Sequence, residues 1–263
     1  YSIKLTKKKI ILNIVYKTFN IIGSLGENSN KILSQFKEDK NILNLFLTGN
    51  FEKVTIITHT RWASVGKVNF ENTHPIIQTD QKNKIYSFMN GDIQNYEDLN
   101  SSKKNSYKSK SYSESDALAL CNIFIENKNF NNKLKVKKLL HKIKGSFVGM
   151  VFSENIPSEI LLIRLGSLGL FKGKNSDRFY FSSDIYGLVE ACQETTEFKK
   201  DTFSLLDLNS NKMKSSNFYI FSKNNKNFSY KKYEKNVITR RDLVKKKYKF
   251  YLEKEIYETP DIV

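Results

Sequence analysis

The chain has 263 residues, of which 39% are hydrophobic and 13% aromatic, so it is large and apolar enough to bury a core. It carries 44 Lys and Arg against 27 Asp and Glu, a formal net charge of +17, which raises the question of a nucleic-acid partner. The lysines are spread through nearly every polar segment, and this favours compositional bias over nucleic-acid binding. No apolar run approaches the roughly 18 residues that a membrane-spanning helix needs.

The chain contains two cysteines, Cys121 and Cys192. Each lies in an apolar pattern of helical period, and such scarcity is typical of free thiols in a reducing compartment rather than of a disulfide framework. We therefore predict two buried thiols and a cytoplasmic protein. The chain opens on Tyr1 and closes on the run ETPDIV, and we expect it to be a piece of a longer protein.

The first half of the chain combines β-rich runs with helical patterns. Strands are predicted from apolar, β-branched composition at 8–16, 18–22, 53–58, 85–89 and 145–153. Helices are predicted from a 3.6-residue apolar period at 28–38, at 132–143 and from about Ser113 onward.

The second half, after Gly145, is dominated by short β runs, with one helix predicted at 184–192. Because strands prevail and regular β-α-β alternation is missing, the pattern favours an α+β layered sandwich over a doubly wound parallel sheet. From about 223 to 242 the sequence is polar and basic, which indicates a connector. The run that follows has apolar residues at helical spacing up to Pro260, and it predicts an amphipathic helix that leads into another domain.

The stretch THTRWASVG, residues 58–66, holds Arg61 and the chain's one tryptophan, Trp62. A guanidinium just past a strand, beside an indole and a glycine, suits a small carboxylate ligand. Taken alone, the residues favour the simpler interpretation, an arginine that merely packs over the tryptophan at a strand end.

Two further stretches are ambiguous in the same way. Asn90 and Gly91 offer an amide donor and an unobstructed backbone N–H, which suit an oxyanion hole, but the dipeptide on its own favours a hairpin turn. Asp116 is placed to bind a ligand ammonium, but with Ser113 it also fits a capping box, the interpretation that the residues alone favour.

The three histidines, His59, His74 and His141, have no metal-ligand spacing with cysteines or acids. No Gly-rich phosphate loop and no nucleophile elbow is present either. The sequence therefore predicts neither a metal site nor classical serine or nucleotide chemistry.

The order of these stretches is more informative than any one of them. HTRWASVGKVNFENTHP, MNGDIQNY, SESDALAL, KGSFVGMVF, IRLGSLGLFKG and FYFSSD follow one another from His59 to Asp184. In this order they resemble the glutaminase domain of the isomerising glutamine:fructose-6-phosphate amidotransferases, which are class II glutamine amidotransferases of the N-terminal-nucleophile type. YLEKEIYETP, near the end of the chain, is similar to the segment that joins that domain to two sugar-isomerase domains.

The resemblance implies a fold and roles for particular residues. The fold would be a four-layer α-β-β-α sandwich of the N-terminal-nucleophile hydrolase type, with its N-terminal strand missing. Arg61 would bind the α-carboxylate of L-glutamine, with Trp62 and Ser64 lining the pocket, and Asp116 would hold the α-ammonium. Asn90, through its side-chain amide, and Gly91, through its N–H, would form the oxyanion hole.

The nucleophile is where the sequence departs from the family, which uses an N-terminal cysteine whose own α-amine is the base. Position 1 is Tyr, and neither Cys121 nor Cys192 has a free amine beside it. The resemblance thus implies that the first strand and its cysteine are absent, so that the chain holds most of the glutamine pocket but no glutaminase activity. Two smaller departures, Val65 for a histidine and Asp92 for an apolar residue, leave the acceptor sugar open.

We therefore expect residues 1–222 to form the glutamine amidotransferase domain and residues 223–263 to lead to absent sugar-isomerase domains. The whole enzyme would convert glutamine and fructose 6-phosphate to glucosamine 6-phosphate and glutamate. It would need no metal or organic cofactor, no nucleic acid and no membrane, and the expectation leaves room for a homo-oligomer. Two alternatives stay open: a class II amidotransferase with a different acceptor, and a degenerate module that binds glutamine without catalysis.

Overall fold

The structure is a computed structural model. It describes residues 2–5, 10–19, 26–49, 51, 53–61, 63–80, 83–104, 112–126, 130–176, 178–208, 218–220, 227–228, 233–236, 238 and 244–258. Their helices and strands, in chain order, are β1 (Ser2–Leu5), β2 (Ile10–Asn13), α1 (Glu27–Glu38), α2 (Lys40–Thr48), β3 (Ile76–Thr79), β4 (Lys84–Ile93), α3 (Tyr96–Lys104), α4 (Leu118–Phe124), α5 (Lys133–Leu140), β5 (Gly145–Ser153), β6 (Ile156–Leu165), β7 (Phe171–Asn175), β8 (Arg178–Ser182), a 3-10 helix (Ile185–Leu188), β9 (Glu194–Glu197), β10 (Thr202–Asp207), β11 (Phe218–Ile220), β12 (Asn227–Phe228), β13 (Glu234–Lys235) and α6 (Tyr251–Glu258).

Two compact units make up the chain, residues 1–167 with 200–229, and residues 168–199 with 230–263. The first contains an antiparallel sheet in the order β12-β11-β10-β6-β5-β4-β3, together with the hairpin of β1 and β2. The second contains the antiparallel sheet β13-β9-β7-β8 and α6. Antiparallel sheets with separately grouped helices make an α+β fold, as the sequence predicted.

The core of the first unit lies between its sheet and the helices α4 and α5. All seven residues of α4 are buried, because its sequence LALCNIF is almost entirely apolar and therefore leaves no face for water. Phe124 of α4 and Leu140 of α5 pack in one cluster with Ile85 of β4 and Phe147 of β5. Burying each such side chain stabilises the fold by about 1.5–3 kcal/mol, so α4 is held firmly against the sheet.

Strand β4 packs against this core and carries the polar residue Asn90, followed by Gly91, near its C-terminal end. Ile85 and Ile93, on the face toward the helices, are buried. On the opposite face, Tyr86 stacks on Phe152 with ring centroids 4.8 Å apart. The register pairs Asn90 with Val148 and Gly91 with Phe147, so this dipeptide sits inside the ladder with β5.

Several predicted elements are confirmed, and others differ in their bounds. The predicted helices at 28–38 and 132–143 and the strands at 85–89 and 145–153 are present. The helix expected from Ser113 begins only at Leu118, and the one expected at 184–192 is a 3-10 helix of four residues. Within residues 10–16, the described part of the run 8–16, the strand covers Ile10–Asn13. Residues 18 and 19 lie in no strand, and α2 was not predicted.

The strand predicted at 53–58 is wrong, because residues 53–60 pair with no described strand. Val54 and Ile56 are 53% and 79% exposed. An apolar, β-branched run becomes a strand only where a neighbour pairs with its backbone, and the described residues place none there.

Both cysteines are free and buried, as predicted. Cys121 lies inside α4, whereas Cys192 lies beyond the 3-10 helix rather than in a helix. Among the described residues, no helix has both the length and the apolar character to cross a membrane. Most of the predicted connector at 223–242 lies outside the described residues.

Candidate active site

A cavity of about 110 Å³ opens in the first unit, at the polar end of β4. Four segments line it: the extended chain at 59–61 together with Ser64, His74 just before β3, the end of β4, and the turn that precedes α4. The lining residues are His59, Thr60, Arg61, Ser64, His74, Met89, Asn90, Gly91, Ser115 and Asp116.

The structure brings five of the six predicted site residues together around this one cavity: Arg61, Ser64, Asn90, Gly91 and Asp116. Trp62 lies outside the described residues. Neither Cys121 nor Cys192 lines the cavity. Cys121, which lies in the same unit as the cavity, is therefore not placed to react with a ligand held there.

Arg61 is half-buried, and its guanidinium donates hydrogen bonds to backbone carbonyls of the loop that follows it. Nη2 donates to the carbonyl of Val65, and Nη1 donates to that of Lys67 at 3.4 Å. Burial lowers the pKa of Arg61, and the Asp116 carboxylate opposes that shift. An arginine remains protonated under any such shift, so the cavity contains a permanent cation.

Asp116 is the anionic group of the cavity, and it is only 5% exposed. Its carboxylate accepts the N–H of Ile93 at 2.9 Å and that of Ala117 at 3.1 Å, and the Ser115 hydroxyl at 3.4 Å. Burial raises the pKa of Asp116, while these hydrogen bonds lower it. The carboxylate thus joins the end of β4 to the turn before α4.

The capping-box interpretation of Asp116 is wrong. Helix α4 begins at Leu118 with Ala117 as its N-cap, and no side chain caps it. Ser113 lies before the turn, where its hydroxyl accepts the N–H of Ser115 at 3.2 Å. Asp116 accepts hydrogen bonds from a neighbouring strand as well as from its own turn, so it is not a helix cap.

The hairpin-turn interpretation of Asn90 and Gly91 is also wrong. Both residues are exposed and lie within β4, and Gly91 has a φ of +115°, a conformation that favours glycine. The strand continues to Ile93. An amide side chain and a backbone N–H free of a Cβ thus lie side by side at the cavity, the arrangement that an oxyanion hole needs.

Two histidines, His59 and His74, also line the cavity. The sequence analysis considered them only as metal ligands. The rings of His59 and His74 lie 4.1 Å apart, and His59 Nε2 donates to the carbonyl of Met89 at 2.8 Å. Burial lowers the pKa of both, that of His74 to about 3, so both are neutral at pH 7. His59 lies in the stretch HTR and His74 in the stretch THP. A single histidine in such a stretch does not by itself predict that it lines a cavity.

No metal centre is present among the residues that the structure describes, since no group of three or more His, Cys, Asp and Glu is placed to hold an ion. The cavity instead combines a cation, an anion, an amide and an accessible N–H within one small volume. Such a set is complementary to a small zwitterion that carries a polar side chain.

Comparison with known proteins agrees with this chemistry. Residues 48–248 match the model of the glutamine amidotransferase domain family. Among curated relatives, glutamine–fructose-6-phosphate aminotransferase (isomerizing) of Buchnera aphidicola (strain APS) is 30% identical over 209 residues, 78% of this chain and 32% of that protein. The enzyme of the same name from Aquifex aeolicus is 28% identical over 260 residues, 94% of this chain and 40% of that protein.

A solved structure shares the fold. It is the glutamine phosphoribosylpyrophosphate amidotransferase of B. subtilis, complexed with ADP and GMP, with a TM-score of 0.50 and 19% identity over 63% of this chain and 34% of that one. The fold is thus that of an N-terminal-nucleophile amidotransferase, as the resemblance implied. The chain thus spans about a third of the length of the first of these curated relatives and two-fifths of the second.

Proposed function

Since the chain belongs to the glutamine amidotransferase family, we propose that the cavity binds L-glutamine as a zwitterion and presents its carboxamide for hydrolysis. The observation that carries this proposal is that Arg61, Asp116 and the pair Asn90 and Gly91 line one cavity. Arg61 binds the α-carboxylate and Asp116 the α-ammonium, with Ser64 at the rim. The carboxamide then lies toward Asn90 and Gly91, because the two charged contacts fix the other end of the molecule.

The chemistry that follows is acyl transfer. A thiolate attacks the carboxamide carbon, and the oxygen that becomes negative accepts hydrogen bonds from the Asn90 amide and the Gly91 N–H. The C–N bond then breaks, the nitrogen takes up a proton and leaves as ammonia, and water hydrolyses the thioester to glutamate. His59 and His74, as neutral rings, add no charge that competes with Arg61 for the carboxylate.

The thiol itself belongs, in this proposal, to a cysteine outside the 263 residues. Cys121 is fully buried in α4, and its pKa is raised to about 12 by that burial. Cys192 lies in the second unit. In this proposal, a chain that lacks that cysteine binds glutamine and does not hydrolyse it.

The acceptor of the ammonia is, in this proposal, a sugar phosphate. The curated relatives that the chain matches are named for transfer to fructose 6-phosphate. The whole enzyme would then form glucosamine 6-phosphate and glutamate, with residues after about 222 leading to the sugar-isomerase part.

Glutamine calorimetry on the chain and its variants tests the glutamine site. Arg61→Ala and Asp116→Ala should each weaken glutamine binding by about 2–5 kcal/mol, because each leaves one charge of the ligand without its partner. Arg178→Ala and Asp98→Ala remove the same groups from exposed positions outside the cavity and should leave the affinity unchanged. Equal affinities for all five proteins would mean that Arg61 and Asp116 hold loops and not ligand.

A further inference from the structure

Asn72 is a fully buried polar residue beside the cavity, at 0% exposure, and it does not line the cavity. It lies in the turn before β3, where its own N–H donates to the Asn69 side chain at 2.9 Å. Its side-chain amide has donors on one side and an acceptor on the other, and both are used. The two sides contact different segments, the loop that follows Arg61 and the turn that leads to Asp116.

On its donor side, Asn72 holds the carbonyl that also orients Arg61. Nδ2 donates to the carbonyl of Lys67 at 3.0 Å, and the same carbonyl accepts Arg61 Nη1 at 3.4 Å. A guanidinium on a flexible stem takes its direction from such fixed acceptors. The Lys67 carbonyl, together with that of Val65, therefore helps to set the direction of Arg61.

On its acceptor side, Asn72 holds the turn that carries Asp116. Oδ1 accepts the N–H of Glu114 at 2.7 Å and the hydroxyl of Ser113 at 3.0 Å. The Ser113 hydroxyl in turn accepts the N–H of Ser115, the residue next to Asp116. One amide thus connects the loop that orients Arg61 to the turn that presents Asp116.

The packing around Asn72 leaves little room for these two segments to shift. Gly66 has a φ of +79°, and a Cβ built on it would lie 2.9 Å from Asn72 Nδ2 and 3.1 Å from the Cβ of Glu114. The loop therefore lies directly against both the amide and the opposing turn. A side chain at Gly66 would push the two segments apart.

We infer that Asn72 is a positioning residue that fixes the separation of Arg61 and Asp116, and thereby makes the cavity select ligands that carry an α-carboxylate and an α-ammonium together. The inference rests on the proposed function, because it assigns those two groups to Arg61 and Asp116. Asn72 touches no ligand. It sets the spacing at which two charged contacts are made at once, and a ligand with only one of the two groups gains nothing from that spacing.

The substitution Asn72→Asp removes the hydrogen bond on the donor side of the amide and keeps those on the acceptor side. The carboxylate still accepts from Glu114 and Ser113, but it cannot donate to the Lys67 carbonyl. Asn122 provides a matched control, since it is also a buried asparagine, with Oδ1 accepting from Gln78 at 2.7 Å and Nδ2 donating to Asn100 at 2.8 Å. Asn122→Asp makes the same chemical change in α4, where no residue lines the cavity.

The measurement is the ratio of the dissociation constants for glutaramate and L-glutamine, read by ligand-observed NMR. Glutaramate is glutamine without its α-amino group, so the ratio reports what the ammonium contact adds. Asn72→Asp should lower the ratio by about tenfold or more, since displacing a binding group by about 1 Å is enough for such a loss. Asn122→Asp should leave the ratio as in the wild type, whatever it does to the melting temperature.

Other outcomes separate the possible failures. If Asn72→Asp leaves the ratio unchanged, or if Asn122→Asp lowers it equally, Asn72 is an ordinary buried hydrogen-bonding residue and the inference is overturned. If Asn72→Asp does not fold, Ser113→Ala removes two hydrogen bonds on the Asp116 side, to Asn72 and from Ser115, and should lower the ratio in the same direction. An unchanged ratio there overturns the inference too. A wild-type chain that binds neither compound contradicts the proposed function before any variant is made.

Discussion

Asp116 is a buried carboxylate, and keeping it ionised lowers the free energy of unfolding. Its pKa in the folded chain is raised by burial, so the folded state holds the proton more tightly than the unfolded state does. The resulting stability is fully present below the unfolded pKa of 3.8 and is lost as pH rises through the folded pKa. At neutral pH the ionised carboxylate therefore lowers the stability of the fold, and the ammonium group of a bound ligand would reduce that cost.

Asp116→Asn should separate stability from binding. The amide oxygen still accepts the Ile93 N–H, and the charge is gone, so we expect the variant to be at least as stable as the wild type at pH 7. The gain should shrink as pH falls through the folded pKa of Asp116 and should be gone below the unfolded value of 3.8, where the wild-type carboxyl is neutral in both states. Urea unfolding at pH 7 and pH 3, with glutamine calorimetry at pH 7, measures both effects. Lower stability with unaltered glutamine binding would assign Asp116 a purely structural role.

Single residues were predictable from the sequence only through their order along the chain. Arg61, Asn90 and Asp116 each favoured a structural interpretation alone, and only the succession of motifs pointed to one pocket. Asn72 could not be found in this way. Its importance lies in two hydrogen-bonded segments that are about 40 residues apart in sequence, and no local pattern reports such a contact.

At the scale of the element, β4 determines the geometry of the site. The Asn-Gly pair suggested a turn because this dipeptide accommodates positive φ, yet the strand runs through it to Ile93. The ladder with β5 supplies the reason, since nine consecutive pairs from Ile85–Ser153 to Ile93–Gly145 outweigh the local preference. Local propensity decides a turn only where no ladder competes.

Gly145 closes that ladder, and Gly145→Ala should disturb it. Gly145 has a φ of +147°, and a Cβ there would lie 2.3 Å from the carbonyl oxygen of Asp92. Gly26 is the matched control, since it has a φ of +91° and a Cβ added there would meet no atom within 4 Å. Gly26→Ala should cost only the backbone strain, about 1 kcal/mol, and Gly145→Ala clearly more.

Urea unfolding of the two glycine variants, together with glutamine calorimetry, checks this expectation. Only Gly145→Ala should also weaken glutamine binding, because it moves the strand end that carries Asn90 and Gly91. Equal losses of stability in both variants, or unchanged binding in Gly145→Ala, would mean that the end of β4 tolerates the shift.

Helices were predictable where apolar periodicity was long and not where it was short. The 12-residue α1 matches its predicted bounds within a residue, whereas α2 was missed. Asp39 explains the miss, since it separates the two helices and caps α2 by accepting the Ile42 N–H at 3.1 Å. The sequence between 28 and 48 contains no glycine or proline that would signal this break.

At the scale of the whole molecule, the α+β class followed from the excess of strands, but the division into units did not. The second unit combines residues 168–199 with 230–263, two segments that the sequence alone assigns to different parts of the chain. A boundary at 222 stays a prediction. The net charge of +17 also does not describe the cavity, whose charged groups are one arginine and one aspartate.

The central claim is that one cavity receives glutamine by both of its charged ends, and a crystal structure of this chain with L-glutamine tests it most directly. The account predicts the α-carboxylate within about 2.7–3.2 Å of the Arg61 guanidinium, the α-ammonium at the same range from Asp116, and the carboxamide oxygen toward Asn90 and Gly91. Glutamine bound outside this cavity, or bound with its carboxylate away from Arg61, would contradict it.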